Sequence, residues 1–171
     1  MNIELLSTIY TVRKIEEEDI HTVFQLCEKN PQFYEYCPPF VTLDGIREDL
    51  KALPKGKTME DKYYVGFYNN EKLVAVMDLI SQYPNDKTAF IGFFMMDIAF
   101  QGQGIGSKII HEVCTYLKQD FDYIRLAYVK GNNQSKNFWY KNNFKPTGVE
   151  VETDAYVMVV MQKSINEDIQ L

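Results

Sequence analysis

The sequence predicts a mixed α/β domain, a mostly antiparallel central sheet flanked by helices, on three observations. Between Lys62 and Ile98, three runs of β-branched and aromatic residues are separated by the turn clusters Asn69-Asn70 and Tyr83-Pro84-Asn85-Asp86, the spacing of an antiparallel meander. Stretches with apolar residues at helical spacing precede and follow it. The last run of the meander then enters a helix through three alternate glycines, Gly102, Gly104 and Gly106. The 171 residues correspond to about one domain of ~150 residues. No internal repeat, low-complexity segment or long linker divides them. Residues 1–171 therefore read as a single domain, with its core over 10–161 and a short, flexible C-terminal tail.

In chain order, Tyr10 to Ile15 alternates like a strand, and the acidic run Glu16 to Asp19 opens a helix, where negative charge suits the positive end of the dipole. Ile20, Val23, Phe24 and Cys27 continue it at helical spacing. Asn30-Pro31 and Pro38-Pro39 mark an irregular, aromatic-rich connection holding Phe33, Tyr34, Tyr36 and Phe40, and a second short helix fits Asp44 to Leu53. The meander strands run Tyr63 to Tyr68, Leu73 to Ile80 and Ala89 to Ile98. After the glycine turn, Ile105, Ile109, Ile110, Val113, Cys114 and Leu117 form one apolar stripe. Tyr123 to Val129 is a strand and Asn133 to Asn142 a short helix. Thr147 to Glu152 and Ala155 to Met161 close the sheet.

The balance of 18 Lys and Arg against 24 Asp and Glu gives a net charge of −6, which argues against nucleic acid as the main partner. Cationic amines suit such a protein better. Cys27, Cys37 and Cys114 are odd in number and unpaired in spacing, as for free thiols in a reducing cytoplasm. The first fifteen residues lack the charged and apolar regions of a secretory leader. No stretch approaches the ~20 apolar residues of a membrane span.

The glycine turn carries the most chemistry. Three alternate glycines at the mouth of an amphipathic helix let the chain take positive φ and let a ligand approach closely. The unsatisfied N–H groups of the first helical turn then favour an anion such as a pyrophosphate. A tight turn serving only packing is the competing reading. The P-loop pattern fails at Gly106-Ser107-Lys108, and the Rossmann pattern fails because Ser107 stands where its third glycine belongs.

Gln101-Gly-Gln-Gly104-Ile-Gly106 resembles the Q/R-x-x-G-x-G/A motif of the GNAT superfamily of N-acetyltransferases. Downstream, Asn132-Asn-Gln-Ser135-Lys-Asn-Phe138-Trp139-Tyr-Lys-Asn-Asn-Phe144 resembles that family's Asn-x-x-Ala/Ser-x-x-Phe-Tyr/Trp-x-x-x-Gly-Phe helix. The order of elements from Tyr10 to about Met161 is similar too. The resemblance implies acetyl-coenzyme A as cosubstrate, with no metal, and a central strand, Ile91 to Ile98, splayed from Tyr123 to Val129 so that the pantetheine arm bonds to backbone at Met96 to Ile98. It implies a cofactor site of Met96, Ile98, Gln101, Gly102, Gln103, Gly104, Ile105, Gly106, Ser107, Asn132, Ser135 and Trp139. It also implies direct attack by an amine of a small molecule or an exposed amino group, with a backbone N–H near Ile98 steadying the oxyanion.

Two carboxylates, Asp78 and Asp97, interrupt apolar strands and are the candidate bases, with Asp78 ranked first and Tyr83 third; a purely structural carboxylate is the competing reading for both. Trp139 occupies the place where many family members keep a Tyr acid. Its indole cannot donate a proton of suitable pKa, and Tyr140 lies ~100° round the helix, so Trp139 is expected to pack against the thiol end of the cofactor. His21 and His111 show no metal-ligand pattern, and Cys37 has no nearby His to activate it. Phe33, Tyr34, Tyr36 and Phe40 are expected to wall the acceptor pocket. A non-catalytic acyl-coenzyme A sensing module and another nucleotide-binding domain are the alternatives, and exposed aromatic edges leave room for a homodimer.

Overall fold

Seven strands form one sheet in the computed structural model, which describes residues 1–166. They are β1 (Thr11–Lys14), β2 (Lys62–Asn69), β3 (Lys72–Ile80), β4 (Thr88–Met96), β5 (Tyr123–Val129), β6 (Lys145–Glu152) and β7 (Val157–Ser164). Their spatial order is β1-β2-β3-β4-β5-β7-β6, and every neighbouring pair is antiparallel except β4 with β5. The helices are α1 (Ile20–Glu28), α2 (Pro31–Tyr36), α3 (Leu43–Lys51), α4 (Ile105–Leu117) and α5 (Asn133–Lys141). Of the tail expected to be flexible, residues 162–164 complete β7, while residues 167–171 lie outside the described residues.

Each face of the sheet is covered by helices chosen by their apolar stripes. Ile20, Val23, Leu26 and Cys27 of α1 and Ile46 of α3 pack on Tyr64, Val76 and Met95. On the other face Ile109, Ile110, Val113, Cys114 and Leu117 of α4, with Trp139 of α5, pack on Phe67, Met77 and Leu126. Complete burial of each aliphatic side chain stabilises by roughly 1.5–3 kcal/mol relative to exposure. The crossover from β4 to β5 through α4 is what permits the one parallel pair.

Two expectations change. The connection after Asn30 is not wholly irregular: α2 begins at Pro31, where a missing N–H costs nothing because the first helical turn has no use for it. The fourth strand ends at Met96 instead of Ile98, and Asp97 caps a short 3-10 turn, Ile98–Phe100, by accepting from Ala99 N at 2.8 Å.

The sheet opens at its centre. β4 and β5 pair only from Thr88 with Tyr123 to Ile91 with Leu126. Beyond that point β4 stays on β3 as far as Met96, and β5 stays on β7 as far as Val129. At the same place Asp78 pairs with Phe93 and Leu79 with Ile91, leaving Gly92 as the extra residue of a bulge. The bulge shifts the alternation of β4. Ala89 and Ile91 share the α4 face with Phe94 and Met96, while Phe93 and Met95 turn to the α1 and α3 face.

Candidate active site

Two cavities meet at the opening. The first, about 280 Å³, runs from the end of β4 along the glycine turn to α5. Its end at the glycine turn is the N-terminus of α4, capped by Gly104, which offers no side chain to the first N–H groups. Gly104 has φ +76 and Gly102 φ +74, so the turn needs left-handed backbone at both. Gly106 is required for a different reason, since a Cβ there would stand 2.6 Å from Met96 Sδ. Lys141 of α5 adds a cation to this cavity. Along β4, Asp97 N bonds to Val74 O at 2.9 Å, so alternation turns the backbone groups of Phe94 and Met96 toward the gap. Met96 O already accepts from Asn30 Nδ2 and Gln101 Nε2, both at 3.1 Å.

The second cavity, about 500 Å³, lies under α2 and α3. Phe33, Tyr34, Phe40, Phe93 and Tyr128 supply apolar walls, and Asp49 and Asp78 supply carboxylates. Phe33, Phe94, Asn132, Ser135 and Trp139 line both cavities, so the two join there.

Asp78 stands in β3 beside the bulge. A Cβ at residue 92 would lie 3.0 Å from its Oδ2. The same Oδ2 accepts from Lys62 Nζ at 2.7 Å, and the Lys62 side chain is only 1% exposed. Tyr64 pairs directly with Asp78 across the ladder, and Lys62, two residues earlier, shares its face. Asp78 Oδ1 is buried and has no hydrogen-bond partner among the described residues. Burial pushes the Asp78 carboxyl above the ordinary carboxylate value, and the Lys62 ammonium opposes that shift. Burial also raises Asp49, again opposed by Lys62. Burial raises the Cys27 thiol to about 11, and the influence of the Cys37 thiol, together with burial, pushes Tyr156 up to about 12.

The sequence matches the model of the acetyltransferase (GNAT) family over residues 18–144. The chain belongs to the GNAT acetyltransferase family. Solved GNAT structures share its fold at low identity. An acetyltransferase from Thermus thermophilus superposes with a TM-score of 0.72 at 15% identity, covering 91% of this chain and 98% of that one. An acetyltransferase from Salmonella typhimurium that modifies the N-terminal serine of ribosomal protein L7/L12 gives 0.70 at 18%, covering 93% and 96%. A ribosomal L7/L12 alpha-N-protein acetyltransferase in complex with coenzyme A gives 0.68 at 20%, covering 95% and 98%. No curated protein matches the chain in sequence.

Against this GNAT framework, Met96, Gln101, Gly102, Gly104, Gly106, Ser107, Asn132, Ser135 and Trp139 all line the first cavity. Gln101 spends its amide on Asn30 Oδ1 at 2.7 Å and on Met96 O, so it ties the turn to α2. Gln103 folds back onto Ala99 O at 2.9 Å. Neither Gln103 nor Ile105 is among the lining residues. Ile98 requires a correction. It is 53% exposed, lies past the end of β4 and borders neither cavity. Four residues separate it from Phe94, about 13 Å at strand rise, so the N–H groups of β4 itself lie nearer the junction. Asp97 is corrected likewise: its carboxylate caps a turn outside both cavities.

Tyr83 packs edge-on against Phe90 at 5.4 Å and faces neither cavity. Trp139 is 6% exposed and packs among Phe94, Phe138 and Phe144, while Tyr140 points outward at 44% exposure. His21 and His111 are exposed. Among the described residues, no three or more His, Cys, Asp or Glu side chains converge on a metal-holding arrangement, and no helix is long and apolar enough to cross a membrane. Sequence reasoning missed Asn30, Asp49, Lys62 and Tyr156. Lys62 had a readable cue, a lysine two residues before an inward tyrosine at the start of a strand, but its partner depends on strand register.

Proposed function

We propose that this protein is an acetyl-coenzyme A-dependent N-acetyltransferase that acts on an amine in the second cavity, with Asp78 as the base. One observation carries the reading: an anion seat at the α4 N-terminus, an unpaired β4 edge and a buried carboxylate lie along one path through the splay. The residues suit the cosubstrate. Free N–H groups of α4 and Lys141 suit its phosphates, the gap-facing groups of Phe94 and the N–H of Met96 suit the amides of its arm, and Trp139 with Phe138 offers an apolar floor near the thiol end. When bound, acetyl-coenzyme A supplies the thioester carbonyl that an amine attacks.

Asp78 Oδ1 is the free acceptor for a proton from the incoming ammonium, while Oδ2 stays on Lys62. N–H groups of β4 near Phe94 steady the developing oxyanion. A thiolate leaves far more readily than an alkoxide or an amide anion, and the proton lost from the attacking nitrogen can neutralise it, so Trp139 in place of an acid does not stop transfer. Calorimetry with coenzyme A and a thiol-release assay with primary amines test the reading together. Absence of binding heat at millimolar coenzyme A sinks it, and binding without thiol release favours a sensing module instead. A cytoplasmic setting accords with the three free cysteines.

A further inference from the structure

The second cavity is bounded on one side by α2, whose Phe33 and Tyr34 line it. α2 lies across the splay as a crossbar. At the β4 end its N-cap, Asn30, donates Nδ2 to Met96 O at 3.1 Å, and Phe33 packs edge-on against Phe93 with ring centroids 5.7 Å apart. At the β5 end the Tyr36 ring covers Gly131, with Cε1 3.8 Å from where a Cβ would stand. Just beyond, Cys37 of the α2–α3 connection and Tyr156, one residue before β7, line the same cavity. An extended peptide advances ~3.3 Å per residue and needs an open trough, which these contacts block. A cavity of about 500 Å³ instead has the size of a small-molecule site.

The lining names the guest. Tyr34, Phe93 and Tyr128 present aromatic faces that attract a cation, and Phe40, 49% exposed, stands at the rim. Asp78 holds one unpartnered oxygen, and Asp49, which lines the same cavity and is open to solvent, adds a second carboxylate. Resting on the transferase reading above, we propose that the acceptor is a free, low-molecular-weight primary amine with an aromatic or apolar body, an arylalkylamine by class, and not the N-terminus of a protein chain. The ammonium gives one proton to Asp78, the amine nitrogen forms the N–C bond as the thioester C–S bond breaks, and the second proton leaves with the thiol.

Thiol release and binding calorimetry on the full chain, with phenethylamine, a linear aliphatic diamine and short peptides beginning with Ser or Ala, test this. Phenethylamine is expected to give kcat/KM roughly tenfold or more above either rival and to give measurable heat of binding. Tyr156→Ala, which cuts back one wall of the cavity at the β7 end, should narrow the gap between phenethylamine and the peptides. Preference for a peptide or for the diamine overturns the proposal, as does an absence of heat with phenethylamine. Heat without thiol release from any amine supports the guest class while ending the transferase reading.

Discussion

Asp78 sits between two opposed influences, burial that disfavours its charge and Lys62 that favours it. As a base it works ionised, so turnover is present above its pKa and falls as pH drops through it. Asp78→Asn should lower kcat by two orders of magnitude or so, while coenzyme A affinity by calorimetry stays near wild type. Lys62→Met leaves burial unopposed, raises the Asp78 pKa and moves the acidic limb of the pH–rate profile to higher pH. An unmoved limb would separate Lys62 from the chemistry. Asp78 was visible in the sequence as a lone acid in an apolar strand, but Asp97, which looked equivalent, proved to lie one residue beyond its strand. The two differ in surroundings that residue type does not encode: one faces a cavity and a lysine, the other closes a turn on its own backbone.

The glycine turn and the helix that follows it were readable because their requirement is local. Gly104 holds φ +76 with open space where a Cβ would stand, so its constraint is conformational. Gly104→Val should abolish coenzyme A binding in calorimetry, whereas Gly104→Asn, a residue that tolerates left-handed backbone, should retain much of it. α3 is held by Thr42, whose Oγ1 accepts from Gly45 N at 2.9 Å. Thr42→Ala should cost about 1 kcal/mol in denaturant unfolding and loosen the wall that carries Asp49. α2 was hidden by its two flanking proline sites, which read equally well as loop punctuation. Its six residues are too few to be helical alone and are held by contacts with Met96, Phe93 and Gly131.

The gap between β4 and β5 leaves strand edges unpaired through the middle of the sheet, and a ligand that pairs them must stabilise the folded state. At a coenzyme A concentration of about 100 times its Kd, stability should rise by about 2.7 kcal/mol, read as a raised Tm, with slowed amide exchange at Phe94 and Met96. No change in Tm would show the gap to be closed to that ligand. Element order, the glycine turn and the aromatic lining of the second cavity were all legible along the chain, because each rests on periodicity, on a backbone dihedral or on composition over a few neighbouring residues. The bulge at Gly92, the meeting of Lys62 with Asp78, the displacement of Ile98 and the crossbar of α2 came only with folding. Each depends on strand register or on contacts between segments dozens of residues apart, and no local preference carries that information.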